Sequence, residues 1–168
     1  NFGDEEGMFF ITSKIKEDII IRNKQIIDNV MPNANAVMIE NLTKLNFITS
    51  EHKYNQLNAK IIKDYSSRIN KEYLGICSFL SSVDFFNNYQ SIIITGTNKD
   101  DNKKIYDQLI KIYLPNTMIL MINDTNNVIS KNNFLNQIEI NDQPLIYFCK
   151  NNTCSLPSNS VEEILKMI

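Results

Sequence analysis

Near Tyr89 the spacing of apolar residues changes from helical to unbroken, and no single type of secondary structure satisfies both halves of the chain. Upstream, Ala34, Val37, Met38, Leu42 and Leu45 recur at helical intervals after Pro32, a residue suited to a first helical turn. A second set, Tyr54, Leu57, Ile61, Tyr65 and Ile69, forms one apolar stripe on an otherwise polar helix that Ser50 is placed to cap. A third, over residues 74–86, is apolar on more than one face and is expected to lie inside. Downstream, Ile92-Ile93-Ile94, residues 118–122 and Leu145-Ile146-Tyr147-Phe148 are continuous apolar runs, as in strands covered on both faces of a parallel sheet.

These patterns predict a mixed α/β chain. Residues 1–89 form helical hairpins of a bundle or of part of an α/α toroid, preceded by a short β-hairpin that pairs residues 8–11 with 19–21. Residues 90–168 form a small three-layer α/β unit with a mainly parallel sheet. Its crossover helix runs over residues 103–114, with Ile105, Leu109 and Ile112 on one face, and residues 161–168 add a last amphipathic turn or two.

Composition narrows the function classes. With 43% hydrophobic residues the chain can bury a core. Its 17 basic and 19 acidic residues leave a net charge of −2, so no overall field gathers nucleic acid or anionic lipid. No apolar run approaches the roughly 20 residues of a membrane span. Three cysteines are too few and odd in number for a disulfide framework, which favours a reducing, cytoplasmic setting.

No cofactor or metal motif stands out. Thr95-Gly96-Thr97 follows the first strand, but one glycine supplies neither a dinucleotide fingerprint nor a P-loop, and an ordinary strand-to-helix turn explains it. Cys149 and Cys154 are too few for a tetrahedral site beside a sole histidine, His52, which itself reads as a surface residue. The two cysteines read as structural thiols in a turn, with a redox pair as the alternative. More suggestive are residues 22–35, where Arg22, Lys24, Asp28 and Asn35 precede or open a helix N-terminus, a place that favours anionic or hydroxyl-rich ligands. Capping and loop hydrogen bonding by Asp28, Asn33 and Asn35 is the plainer explanation.

The same residues carry a resemblance. Arg22, Lys24, Asp28, Pro32 and Asn35 match the loop pattern of the spermatogenesis-associated, thioredoxin-domain-containing proteins, whereas Asn23, Gln25 and Asn33 depart from it and Ala36 replaces a serine. Three further stretches resemble that family in order: Ile92-Ile93-Ile94-Thr95-Gly96, Leu114-Pro115-Asn116, and the ending Tyr147-Phe148-Cys149-Lys150-Asn151-Asn152-Thr153-Cys154-Ser155-Leu156-Pro157. The resemblance implies the C-terminal portion of a longer protein, in which a thioredoxin-like domain precedes a toroid of six helical hairpins similar to glycosidases. Its implied partners are the upstream hairpins and thioredoxin-like domain, with Asp28 and Asn35 facing a cavity for a carbohydrate-like ligand. A non-catalytic scaffold or interaction module is the other reading. One carboxylate does not make the pair that glycoside hydrolysis needs.

Overall fold

The computed structural model describes residues 3, 7–15, 19–25, 27–69, 73–124, 132, 135–151 and 153–168. The chain divides into two compact units, Asn1–Asn87 and Asn88–Ile168.

Among the described residues the first unit contains three helices: α1 (Ala34–Thr49), α2 (Lys53–Arg68) and α3 (Cys77–Asn88), the last entered through a 3-10 turn at Tyr73–Ile76. Asn33, not Pro32, starts α1: its side chain accepts from the N–H groups of Asn35 and Ala36. Ser50 ends α1 in a left-handed conformation (φ 55°) instead of capping α2, whose first turn has no side-chain cap. The α2 stripe packs as its spacing predicts, with Ile61 and Tyr65 fully buried and Tyr65 stacked on Phe79 at 3.8 Å.

Helix α1 departs from expectation. It buries Asn35, Ala36, Ile39, Leu42 and Thr43, leaving Val37 and Leu45 exposed. The core face carries two polar residues because they bond there: Asn58 of α2 donates to the Ile39 carbonyl at 3.1 Å and to Thr43 Oγ1 at 3.0 Å, clamping the two helices together. Helix α3 buries Phe79, Ser82 and Phe85 but leaves Leu80 and Cys77 exposed, so it is not an interior helix within this unit.

The expected N-terminal hairpin is also corrected. Among the described residues before α1 no strand forms, and residues 16–18 of its turn lie outside them. The first run instead meets the segment just after the second: the Ile11 N–H donates to the Asn23 carbonyl at 3.0 Å.

The second unit is built on four strands in the order β2-β1-β3-β4: β1 (Gln90–Thr95), β2 (Thr117–Ile122), β3 (Leu145–Lys150) and β4 (Thr153–Cys154). Among the described strands only β1 and β2 are parallel, in register from Gln90 opposite Thr117 to Thr95 opposite Ile122. Strand β3 pairs antiparallel with β1, and β4 antiparallel with β3, so the sheet is mixed and not mainly parallel. Every residue of β1 is buried, which is what its unbroken apolar run recorded. Such a run reports burial of both faces and carries no information about strand direction.

Helix α4 (Lys99–Leu109) begins a turn earlier than its apolar residues suggest, because Asn98 caps it and Asp100 and Asp101 favour its N-terminus. It joins α5 (Val161–Leu165) on one face of the sheet, where Leu109 and Ile164 pack with Ile92, Ile94, Ile146 and Phe148. Both helices serve the same cluster on that face.

Candidate functional site

The candidate polar residues converge on the loop before α1, and the structure turns them inward. Asp28 donates its N–H to the Gly75 carbonyl at 2.6 Å. One carboxylate oxygen accepts from the Asn33 N–H at 3.0 Å and from the Ser78 hydroxyl, and the other accepts from the Ser78 N–H at 2.8 Å. Ser78 lies in the first turn of α3, whose leading N–H groups have no partner within the helix. Asp28 therefore caps α3 from 50 residues away while holding the start of α1.

This environment fixes its charge. Burial pushes the Asp28 carboxyl up, but the Ser78 hydroxyl, the Ser78 N–H and the Asn33 N–H together hold it below the usual carboxylate range. The buried Tyr65 phenol is pushed up to about 12, first by desolvation and then by the Asp28 charge. A carboxylate held charged in this way is a poor general acid.

Asn35, fully buried, stands in for a strand partner of Phe9. Its Oδ1 accepts from the Phe9 N–H at 2.6 Å, while Nδ2 donates to the carbonyls of Phe9 at 3.0 Å and Gln25 at 3.4 Å. Arg22 places its guanidinium 3.9 Å above the Phe10 ring and donates to the Thr12 carbonyl at 3.0 Å. Lys24 stands over the same ring at 5.2 Å and pairs with Asp64 at 3.4 Å, and Arg68 holds the other Asp64 oxygen at 2.7 Å. The structure thus places Arg22 and Lys24 together on Phe10, while Asp28 and Asn35 act at opposite ends of the Asn33 cap. In each case the described bonds run to the chain itself.

In the second unit Cys149 and Cys154 face each other across β3 and β4 and are joined as a disulfide. The intervening Asn152 lies outside the described residues.

The chain is distantly similar to Spermatogenesis-associated protein 20. Against the rat (Rattus norvegicus) and human (Homo sapiens) proteins of that name it is 22% identical over 167 residues, covering 96% of this chain. The chain spans about a fifth of the length of these relatives, 21% in each case. No family model matches the chain. The likeness to Spermatogenesis-associated protein 20 extends over nearly all of both units, whereas the ring of hairpins is not shown by three helices.

A shallow hollow of about 310 Å³ lies along α2, lined by Lys53, Tyr54, Gln56, Leu57 and Lys60, none of them a candidate residue. His52 is exposed. Among the described residues no group of three or more His, Cys, Asp or Glu could hold a metal, and no helix is long and apolar enough to cross a membrane. Gly96 makes the strand-to-helix turn with φ 156°, and Asn102 locks it by donating to the Gly96 carbonyl at 2.8 Å and to Asn123 Oδ1 at 2.6 Å.

Sequence reasoning missed Ser78, Gly75, Asp64 and Phe9, the partners on which the loop residues act. A serine just inside the start of α3 was the one signal available for Ser78, since serine favours helix N-termini.

Proposed function

We propose that this chain is the C-terminal portion of a longer protein of the thioredoxin-domain-containing, spermatogenesis-associated kind. There it acts as a non-catalytic module that packs on preceding helical hairpins and helps to position the thioredoxin-like domain. The observation that carries this reading is the inversion of polarity in residues 20–31. Their polar candidates bond within the chain, while Ile20 is 98% exposed, Val30 wholly exposed and Met31 74% exposed. Single exposed apolar side chains are ordinary on a protein surface, but a run of them on one loop marks a contact surface. Val37, Leu45 and Leu80 on the helices add to the apolar area of this unit. The carbohydrate-binding reading draws support from the resemblance alone, and it requires Asp28 and Asn35 to release partners they now hold.

Hydrogen exchange tests the module reading. Peptides from α1, α2 and α3 are expected to exchange at least about tenfold more slowly within the complete gene product than in the isolated 168-residue chain, because docking suppresses local opening. Equal exchange in the two, or a gene product no longer than this chain, contradicts the reading.

A further inference from the structure

Resting on the module reading, we infer that residues 27–31 are a preformed apolar anchor that seats on an uncharged, apolar surface of the polypeptide preceding this chain in the same protein. Ile27 is 57% exposed, and Val30 and Met31 project still further. Their backbone is nonetheless fixed. Asp28 ties the loop to Gly75 and Ser78, its carboxylate holds the Asn33 N–H, and the Asn29 N–H closes a turn on the Met31 carbonyl at 3.2 Å. A loop ordered before binding loses little conformational freedom on docking, and this is what lets a few exposed side chains act as binding anchors.

The partner's chemistry follows from the tip. Asp28 is the sole ionisable residue between 27 and 31, and its carboxylate points into the chain, so the outward surface carries no charge to be matched. The occupant follows from length. The matched segment is 21% of each relative's length, which leaves most of such a protein outside this chain and available to cover the loop in every copy. A second copy of this chain is the competing occupant.

Oxidation of Met31 by hydrogen peroxide, followed by mass spectrometry against free methionine as the rate standard, separates these cases. In the isolated chain Met31 is expected to oxidise near the rate of the free amino acid at every protein concentration. In the complete gene product the rate is expected to fall by about tenfold or more, as for a methionine removed from solvent. Equal Met31 rates in the two proteins overturn the anchor, and the module reading is then judged separately by its own exchange result on the helices. Protection in the isolated chain that grows with its concentration overturns the stated occupant in favour of a second copy.

Discussion

Replacing Asp28 by alanine is expected to destabilise the helical unit by about 3 kcal/mol, since charge-assisted hydrogen bonds contribute about 1.5–3 kcal/mol each and the Ser78 N–H loses its acceptor. The change also strips the acceptor from the Ser78 hydroxyl and leaves the buried Asn33 N–H with its bond to Ser78 Oγ at 3.2 Å. Urea unfolding followed by circular dichroism reads it as a lower midpoint with an unchanged slope for that unit. Asp28→Asn keeps one acceptor but turns an amide NH₂ toward a donor, and about half the loss is expected. A carboxylate that instead faced a ligand cavity would leave the midpoint within about 0.5 kcal/mol when removed. The experiment therefore separates a structural clamp from a ligand group without a ligand in hand.

Gly96→Ala is expected to cost the second unit about 3 kcal/mol, because strain at a positive φ and overpacking act together. A Cβ built at Gly96 would stand 2.6 Å from Asn102 Oδ1 and 3.3 Å from Pro144 Cα. Neither neighbour can retreat cheaply: Pro144 Cα is backbone, and Asn102 is fully buried while bonded to both Gly96 and Asn123. The loss should appear as faster hydrogen exchange in β1, β2 and α4. The helices of the first unit, which contain neither residue, should exchange as before.

Helix α2 could be read directly, because Tyr54, Leu57, Ile61, Tyr65 and Ile69 keep the 3.6-residue period even though the buried Asn58 lies among them. Helix α1 could not. Its inward face includes Asn35 and Thr43, so counting apolar residues rotated the helix toward Val37 and Leu45, which the structure exposes. The strands were legible as strands because Ile92, Ile93 and Ile94 are β-branched and fully buried, but the antiparallel course of β3 leaves no mark on side-chain pattern. The loop illustrates the limit most clearly. Asp28 and Asn35 could be singled out as polar residues at a helix start, yet their roles depend on Ser78, 50 residues onward, and on Phe9, 26 residues back. Partners that meet only through the fold cannot be read from local spacing, and the inward turn of these groups is what leaves the loop's apolar side chains facing out.

The titration of the Asp28 carboxyl, followed by carbon-13 NMR in the folded protein, tests this inward-facing arrangement most directly. The account predicts a pKa below the ordinary value of 3.8, held there by Ser78 and Asn33 against the upward push of burial. Because the folded value is depressed, the carboxylate's contribution to stability is complete above the unfolded pKa and is lost as pH falls through the folded one. A carboxyl that titrates at or above 3.8 would show that these donors do not hold it, and would contradict the account.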